Sequence, residues 1–467
     1  MPSVIVLGAG PGGYAAAFYA ADLGMQVTLV DEEKNPGGVC LYRGCIPSKA
    51  LLHVAKVVDE SKHASHWGVE FGEPKIDLDK LRSYKESVVE KLTSGTGQIA
   101  KLRKITYIQG HATLTGPTSM SVKTASGTQD VSADYIVLAT GSYPTTIPGL
   151  DLDSPRLLDS TGALELPAIP KTLLVVGGGY IGLELGSVYA ALGTQVSVVE
   201  MTPTLLPGAD RDLVKPLQQR IEKTYARIML STKVTGMVAA KDGIAVTFEG
   251  EGAPASETYD YVLVAIGRRP NSKIDGLGTT KVKVDAKGFI ETDPQRRTAE
   301  PTMFAIGDVA GEPMLAHKAS HEARVAIEAI AGHKTVFEPA AIPAVVYTDP
   351  EIAWAGLTEA EAEKAGRKVE VTRFPWPASG RAIAIDRTDG MTKLIIDPDS
   401  GRILGMGLVG SGAGELIAEG VLAIEMGATA EDLKLTIHPH PTLSETVMEA
   451  AEVFFGQATH VYRPKKK

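Results

Sequence analysis

A short apolar run meets a cluster of glycines in Val4-Ile5-Val6-Leu7-Gly8-Ala9-Gly10-Pro11-Gly12-Gly13. The apolar run is typical of a buried parallel strand, and an alanine-rich helix through Leu23 follows the glycines. Glycines at this spacing allow a tight turn and let the backbone approach a pyrophosphate, which the helix N-terminus can bind. Asp31 follows a second predicted strand and is placed to bind a ribose hydroxyl. One such fingerprint is weak, because glycines also form ordinary turns.

The fingerprint occurs twice. Gly8, Gly10, Gly13 and Asp31 are matched 169 positions later by Gly177, Gly179, Gly182 and Glu200. A later strand, 134–141, is matched by 260–267 at an offset of 126. The first copy is therefore longer between its fingerprint and its later strand, and the extra length contains both cysteines. The sequence predicts two nucleotide-binding domains, the first of them enlarged around a cysteine pair.

Cys40 and Cys45 are the two cysteines of the chain. A bridge that closes so short a loop stabilises a fold only slightly. In a straight helix, residues five apart rise about 7.5 Å, beyond the roughly 7 Å that a bridge tolerates between α-carbons. A disulfide here needs a distortion, which Gly44 permits and Pro47 bounds, and strained disulfides are the reducible ones. The alternative is a pair of buried free thiols in the core.

Composition narrows the class of protein. A chain of 467 residues predicts about three domains. Its net charge of −9 argues against a nucleic-acid surface. No apolar run is long enough for a membrane span, and the N-terminus enters a strand without a basic or cleavable segment, so we expect a cytoplasmic protein. The spacing of His53, His63 and His66 does not suggest a metal site, and Lys465-Lys466-Lys467 reads as a solvated tail.

The acid of the second copy bears on cofactor preference. Glu200 favours NAD, because a carboxylate accepts hydrogen bonds from a ribose diol and repels the phosphate of NADP. No arginine directly follows Glu200 to receive that phosphate. Arg268 and Arg269 lie beyond a strand end, where they either assist ligand binding or are simply solvated.

The chain changes character from Val345 onward, where strand-like runs flank a hairpin signal at 397–401 and helices follow. This pattern predicts an antiparallel sheet with helices. His440 stands between two prolines, which suits a positioned acid–base group. Glu445 is either the end of a capping box that begins at Thr442 or the group that orients His440, and both roles are compatible.

Taken together, these motifs resemble the FAD-dependent pyridine nucleotide–disulfide oxidoreductases over essentially the whole chain. The motifs that carry the resemblance are the two glycine fingerprints, the segment Gly37-Gly38-Val39-Cys40 through Gly44-Cys45-Ile46-Pro47-Ser48-Lys49, Ala305-Ile306-Gly307-Asp308, and His440-Pro441-Thr442-Leu443-Ser444-Glu445. The resemblance implies an α/β chain with two Rossmann-like domains, for FAD and NAD, and a C-terminal α+β dimerisation domain. The implied boundaries are 1–149 for FAD and the disulfide, 150–271 for NAD, 272–342 for a central domain that completes the FAD site, and 343–467 for the interface.

The resemblance also implies site residues. FAD is expected at Gly8, Gly10, Gly13, Asp31, Ala112, Thr140, Gly141, Ser142, Asp308, Met314, Leu315, Ala316 and His317. NAD is expected at Gly177, Gly179, Gly182, Glu184, Glu200 and Gly267. Lys49 is expected to pair with Glu184 near the flavin. Cys40 is the implied substrate-exchanging thiol and Cys45 the flavin-facing one. His440, oriented by Glu445, is the implied base, contributed by the partner subunit of a homodimer.

The closing motif favours the lipoamide branch of the family, whose substrate is a dihydrolipoyl group on an acyltransferase or an H-protein. The nearest alternative is a reductase of glutathione or another small disulfide, which usually uses NADP. Mercuric reductase needs an additional C-terminal cysteine pair, and a flavoprotein scaffold would not need the acid–base residues. Leu41-Tyr42-Arg43 departs from the Leu-Asn-Val common in the family. We expect Arg43 either to lower a thiol pKa or to narrow access to the cysteines.

Overall fold

The structure is a computed structural model, and it describes residues 1–147, 149–150 and 152–462. The tail expected at 465–467 lies outside these residues. The chain forms two parallel sheets, each with an attached antiparallel sheet, followed by a larger antiparallel sheet. The predicted α/β class, with two nucleotide-binding domains and a C-terminal α+β domain, is confirmed.

In the described part of the first domain, the chain forms eight strands and four α-helices. In chain order these are β1 (Ser3–Leu7), α1 (Pro11–Asp22), β2 (Gln26–Asp31), α2 (Gly38–Arg43), α3 (Cys45–His63), α4 (Leu78–Leu102), β3 (Thr106–Gln109), β4 (His111–Gly116), β5 (Ser119–Thr124), β6 (Gly127–Ser132), β7 (Tyr135–Leu138) and β8 (Ser142–Pro144). The inner parallel strands β1 and β7 are almost wholly apolar because both faces of their sheet are covered.

The second domain repeats this plan. It comprises β9 (Leu157–Leu158), α5 (Ser160–Leu164), β10 (Thr172–Val176), α6 (Tyr180–Ala191), β11 (Gln195–Val199), α7 (Arg211–Thr224), β12 (Arg227–Met229), β13 (Lys233–Ala240), β14 (Gly243–Glu249), β15 (Ser256–Tyr259), β16 (Tyr261–Val264) and β17 (Arg268–Pro270). Its parallel sheet has the order β12-β11-β10-β16-β9. β13, β14 and β15 form the attached antiparallel sheet, as β4, β5 and β6 do in the first domain.

The chain then returns to the first sheet. β18 (Met303–Ala305) pairs with β7 and completes the parallel order β18-β7-β1-β2-β3. α8 (Ala316–Ile330) packs against α1. The strand expected before Gly307-Asp308 is therefore an edge strand of the first domain, and it brings the loop after it to the carboxyl end of β1.

The C-terminal domain is an antiparallel sheet of order β19-β20-β23-β22-β21. Its elements are β19 (Ala344–Val346), β20 (Glu351–Gly356), α9 (Glu359–Lys364), β21 (Glu370–Pro375), α10 (Gly380–Ala384), β22 (Met391–Ile396), β23 (Ile403–Gly410), α11 (Ala413–Glu425), α12 (Ala430–Leu435) and α13 (Glu445–Phe455). The predicted hairpin joins β22 and β23.

The strands between α4 and β8 are of two kinds, because β3 and β7 join the parallel sheet whereas β4, β5 and β6 form a separate antiparallel sheet. The helices α3 and α4 are separated by a 3₁₀ turn, Ala64–Trp67, that ends at the left-handed Gly68. Among the helices of the described residues, none has the length and apolar character needed to cross a bilayer.

Candidate active site

The two glycine fingerprints have the same local geometry. Gly8 and Gly177 have φ angles of +97° and +110°, and a β-carbon on either would lie within 2.5 Å of the carbonyl oxygen of Ala139 or Ala265. Only glycine fits there. Those two carbonyls follow β7 and β16, so in both domains the glycine turn packs against the end of the later strand. The same contact therefore requires glycine at the same place in both copies of the fingerprint.

The acids of the two copies also have matching partners. The Asp31 carboxylate accepts hydrogen bonds from the Ala9 N–H at 2.5 Å and from the Glu33 N–H at 2.9 Å. The Glu200 carboxylate accepts them from the Gly178 and Thr202 N–H groups, both at 2.7 Å. Burial raises the pKa of Asp31, although the two N–H groups oppose that effect. Each acid therefore ties its glycine turn to the end of the second strand.

A cavity of about 440 Å³ runs from the first fingerprint to the cysteines. The sequence-predicted residues that line it are Gly8, Gly10, Asp31, Cys40, Cys45, Lys49, Ala112, Thr140, Gly141, Ser142, Glu184, Asp308, Met314 and Ala316. A β-carbon on Gly10 would meet no atom within 4 Å, so the backbone is open towards the cavity at the start of α1. This glycine turn and helix N-terminus fit the pyrophosphate of a dinucleotide.

Other predicted residues lie outside this cavity lining. Gly13 is covered, since a β-carbon there would lie 1.8 Å from the Gly8 carbonyl oxygen. Leu315 and His317 are not cavity residues, and His317 Nε2 lies 2.8 Å from the Pro343 carbonyl oxygen. The second-fingerprint residues Gly177, Gly179, Gly182 and Glu200, with Gly267, surround the carboxyl end of β10 instead. His440 and Glu445 are also absent from the lining.

The cysteines lie on either side of a helix break. α2 ends at Arg43, Gly44 adopts a non-helical conformation, and α3 begins at Cys45. A β-carbon on Gly44 would lie 2.9 Å from the Val39 carbonyl oxygen, which accounts for the glycine. The local distortion expected from the spacing is present, and it brings the two free thiols close enough to influence each other's acidity.

The pKa values of the two thiols are shifted in opposite directions. The hydrogen bond to Cys45, together with burial, raises the pKa of Cys40. The hydrogen bond from Cys40 and the positive charge of Lys49 outweigh burial and lower the pKa of Cys45 to about 7. Cys45 is therefore the member of the pair that holds a thiolate near neutral pH.

Lys49 and Glu184 form a largely buried ion pair beside the cysteines. Lys49 Nζ lies 2.7 Å from Glu184 Oε2. The other oxygen of Glu184 accepts a hydrogen bond of 2.9 Å from the Tyr347 N–H. Glu184 is on α6, Lys49 on α3 and Tyr347 directly after β19, so one carboxylate connects the first, second and C-terminal domains.

A polar network holds the Gly307-Asp308 loop. The Ser142 hydroxyl donates to the Asp308 carboxylate at 2.5 Å, and Arg268 donates to Ser142 Oγ at 2.7 Å. Arg268 is thus part of the contact between β8 and β17 rather than a solvated residue. Behind the loop, the fully buried Glu322 accepts hydrogen bonds from the Gly307 N–H at 2.6 Å and from Arg296 at 2.8 Å.

Several charged groups also line the cavity. Arg43 forms an ion pair with Glu33, so its guanidinium is directed to the loop after β2. His111 bridges Glu32, at 2.6 Å, and Asp275, at 2.9 Å. The pKa of His111 is raised by Asp275 and Glu32. The thiol-activating role considered for Arg43 is less direct than that of Lys49, which is the cation acting on both thiols.

His440 and Glu445 form a second acid–base unit in the C-terminal domain. His440 Nδ1 lies 2.9 Å from Glu445 Oε1, and Glu445 Oε2 accepts a hydrogen bond from the Thr442 N–H at 2.8 Å. Burial opposes ionisation of Glu445, but the contacts from Thr442 and His440 lower its pKa. The expected capping box is half formed, because the Thr442 hydroxyl donates to the Pro439 carbonyl instead. The His440 side chain is 76% exposed.

Sequence reasoning did not identify several residues that the structure places at the site. Tyr180 lines the cavity, Tyr347 contacts Glu184, and His111 closes the end near Glu32. Tyr180 stands within the second glycine fingerprint, so its position near the site could have been predicted from the sequence. Nothing in the sequence linked Tyr347 to Glu184. Contacts of that kind are set by the docking of whole domains.

Comparison with known proteins agrees with this arrangement. Residues 2–323 match the model of the pyridine nucleotide-disulphide oxidoreductases, and residues 342–451 match the dimerisation domain of the same family. A dihydrolipoyl dehydrogenase of Haemophilus influenzae is 52% identical over 99% of this chain and 97% of its own. One from Bacillus subtilis is 42% identical over 98% of this chain and 97% of its own.

Solved structures show the same fold. LpdA of Mycobacterium tuberculosis matches 97% of this chain and 99% of its own with a TM-score of 0.89 at 26% identity. The HOCl-induced flavoprotein disulfide reductase RclA of Escherichia coli matches the same shares with a TM-score of 0.86, also at 26% identity. The described geometry and these full-length matches agree, and the chain belongs to the pyridine nucleotide-disulphide oxidoreductase family.

Proposed function

We propose that the chain is an NAD-dependent dihydrolipoyl dehydrogenase that uses FAD and a Cys40–Cys45 disulfide. Full-length relatives of 42–52% identity carry that name. The observation that carries the proposal is that Cys40 and Cys45 line the same cavity as the first glycine fingerprint, with the Lys49–Glu184 pair lining it too and acting on Cys45. A scaffold protein would not need an acidic thiol at that position.

FAD would be held along the cavity by the residues that the first fingerprint and the Gly307-Asp308 loop bring there. The N-terminus of α1 and Gly10 would contact the pyrophosphate, Asp31 the ribose and Asp308 the ribityl chain. The other predicted FAD contacts that line the cavity are Gly8, Ala112, Thr140, Gly141, Ser142, Met314 and Ala316. Gly13, Leu315 and His317 do not line it, so they would support the site rather than contact the cofactor. Bound FAD supplies the step that takes two electrons from the dithiol and passes them as hydride to a nicotinamide.

NAD would bind at the carboxyl end of β10, at Gly177, Gly179, Gly182, Glu184, Glu200 and Gly267. The support is the match between the two fingerprints in turn geometry and in the contacts of their acids. Glu200 would accept hydrogen bonds from the ribose hydroxyls and oppose a 2′-phosphate. We therefore propose NAD rather than NADP as the electron acceptor.

The sulfur chemistry follows from thiol–disulfide exchange. One substrate thiol loses its proton to His440 and attacks the sulfur of Cys40, which breaks the Cys40–Cys45 bond and leaves a Cys45 thiolate. The second substrate thiol then attacks the substrate sulfur of the mixed disulfide, its proton passes to the departing Cys40 sulfur, and the cyclic lipoyl disulfide forms as Cys40 leaves as a thiol. The two electrons then reside on the cysteine pair. Lys49 would stabilise the Cys45 thiolate, which has the lower pKa of the pair.

His440 would act across a homodimer. It does not line the cavity of its own chain, its side chain is exposed, and it lies in the family's dimerisation domain. Because Nδ1 donates to Glu445, the neutral ring presents Nε2 as a base. We propose that this base is directed at Cys40 of the partner subunit.

The proposed activity also assigns a role to each part of the chain. We propose that residues 1–149 bind FAD, 150–271 bind NAD, 272–342 form a central domain and 343–467 form the dimer interface, and that the protein is cytoplasmic. The substrate would be a lipoyl group carried by the acyltransferase of a 2-oxo acid dehydrogenase complex or by an H-protein.

An anaerobic titration with dihydrolipoamide tests the activity. We expect flavin bleaching followed by NADH formation on addition of NAD, a much weaker response with NADP, and loss of turnover in Cys45→Ser. Turnover of glutathione disulfide with NADPH, without a response to dihydrolipoamide, would instead indicate the other branch of the family.

Mixed dimers test the shared site. Cys45→Ser and His440→Gln chains are each expected to be inactive as homodimers, and co-expressed heterodimers should recover one working site. Recovery requires that cysteines and histidine come from different chains. Heterodimers that stay inactive would contradict the arrangement while leaving the assigned activity intact.

A further inference from the structure

Glu184 divides its two carboxylate oxygens between Lys49 and Tyr347. Oε2 accepts from Lys49 Nζ at 2.7 Å, and Oε1 accepts from the Tyr347 backbone N–H at 2.9 Å. The residue is 3% exposed, so its carboxylate is shielded from bulk water. The N–H that reaches Glu184 belongs to the backbone directly after β19, so this contact places the Tyr347 backbone beside the carboxylate.

The Tyr347 ring lies against the other side of the Lys49 ammonium. Lys49 Nζ is 4.5 Å from the ring centroid, within the distance at which an aromatic face attracts a cation. Lys49 therefore has a carboxylate on one side and an aromatic face on the other. Its flexible four-carbon chain is held at both contacts, and Lys49 is the cation that acts on Cys45.

The ring, rather than the hydroxyl, makes this contact. Among the described residues, the Tyr347 hydroxyl has no hydrogen-bond partner. Burial, followed by the negative charges of Glu184 and Glu351, raises the pKa of that hydroxyl, so it stays neutral and adds no charge of its own. The side chain is also partly exposed, so it is not a simple core residue.

We propose that Tyr347 is a positioning residue, whose aromatic ring holds the Lys49 ammonium in place beside Cys45. The C-terminal domain thereby contributes to the electrostatics of the cysteine pair within the same chain, separately from the His440 it would lend to the partner. The position of Lys49 affects the acidity of the Cys45 thiol whatever the substrate is. The inference therefore rests on the proposed function only where it concerns the rate of turnover.

Three holoenzyme variants test the proposal, with wild type as reference. Tyr347→Leu removes the ring and keeps the backbone N–H. Tyr347→Phe keeps the ring and removes the hydroxyl. Tyr84→Leu is the matched control, since Tyr84 is a similarly exposed tyrosine on α4 that is not placed in the site. Each protein is reduced by two electrons with dithionite, so no lipoyl substrate is involved, and thiolate-to-flavin absorbance is followed against pH.

We expect the midpoint of that absorbance to rise by about half a unit in Tyr347→Leu relative to the wild type, because a less restrained ammonium stabilises the thiolate less. Tyr347→Phe and Tyr84→Leu should match the wild type. An unchanged midpoint in Tyr347→Leu, or an equal rise in Tyr347→Phe, would overturn the role of the ring.

A near-isosteric change covers the case in which Tyr347→Leu fails to fold. Ring-fluorinated phenylalanine at 347 keeps the size of the side chain and weakens the attraction of the ring for a cation. The midpoint should rise stepwise with the number of fluorines, and a midpoint independent of fluorination would refute the proposal. Because dithionite supplies the electrons, failure here is distinguishable from a protein that does not oxidise dihydrolipoamide.

Discussion

Lys49 Nζ and Glu184 Oε2 lie 2.7 Å apart although the two residues are 135 positions apart in the chain. They belong to the two different nucleotide-binding domains, and their contact puts a cation beside Cys45 and a buried carboxylate behind it. The charge state of the cysteine pair therefore depends on how the two domains dock.

Removing the carboxylate should make Cys45 more acidic. The negative charge of Glu184 opposes ionisation of Cys45. Glutamine at 184 loses this charge but keeps an oxygen that can accept from Lys49, so we expect Glu184→Gln to lower the midpoint of thiolate-to-flavin absorbance by about half a unit. The measurement is a pH titration of the two-electron-reduced protein. Glu60→Gln, which alters an exposed pair with Lys56, is the control and should leave the midpoint in place. A rise in Glu184→Gln would contradict the assigned electrostatics.

Removing the other thiol should have the opposite effect. The hydrogen bond from Cys40 is the largest influence that lowers the pKa of Cys45 from its ordinary value to about 7. In Cys40→Ala we expect the midpoint to rise by about one unit. Since the pKa of Cys45 is depressed, the thiolate is present above the midpoint and is lost as the pH falls through it. A midpoint that stays near 7 would leave Lys49 as the dominant influence.

Substitution of Arg43 tests whether its positive charge acts on the cysteine thiols. Its position in the cysteine loop predicts that Arg43→Val raises the pH at which the thiolate forms. The structure pairs Arg43 with Glu33, so we now expect Arg43→Val to leave that midpoint unchanged. Glu33→Gln serves as the companion variant, because it frees Arg43 without removing it. A midpoint that rises in Arg43→Val would restore the charge role.

His440 should matter for substrate oxidation and not for the reaction with nicotinamide. Loss of a positioned base lowers a rate by about 10² to 10⁴-fold, and we expect this range for dihydrolipoamide oxidation in His440→Gln. Glu445→Gln should cause a smaller loss, because it only orients the ring. Reduction of an artificial dye by NADH is the control and should persist in both variants. Equal losses in the two assays would argue against a role at the substrate thiol.

The buried ion cluster behind the Gly307-Asp308 loop should support both stability and flavin retention. Glu322 is fully buried and pairs with Arg296 at 2.8 Å and Lys318 at 3.1 Å. Glu322→Gln leaves two buried cations without their anion, and such breaks cost about 3–5 kcal/mol. We expect a lower unfolding temperature and faster flavin release, measured by calorimetry and flavin fluorescence. Glu363→Gln, an exposed change on α9, should alter neither.

The repeats made much of the fold predictable. The parallel strands β1, β2, β10 and β11 appear in the sequence as largely apolar runs. Gly8 and Gly177 could be recognised as required glycines, because only glycine fits against the ends of β7 and β16. The antiparallel character after Val345 was visible from its hairpin signal. The separate sheet of β4, β5 and β6 was not, because short strands do not reveal which sheet they join.

The sequence by itself determined the local chemistry: two glycine turns with their acids, a cysteine pair across a flexible glycine, and His440 five residues before Glu445. These depend on neighbours in the chain, where residue type and spacing decide the geometry. The pair of Lys49 with Glu184 was expected only from the family resemblance. Tertiary structure alone decided that Glu184 also meets Tyr347, that Arg268 donates to Ser142, and that Arg43 faces Glu33. The contacts of Glu184 and Arg268 join separate domains, and the pair Arg43–Glu33 joins two loops of one domain, so the partners depend on how elements distant in the chain pack together.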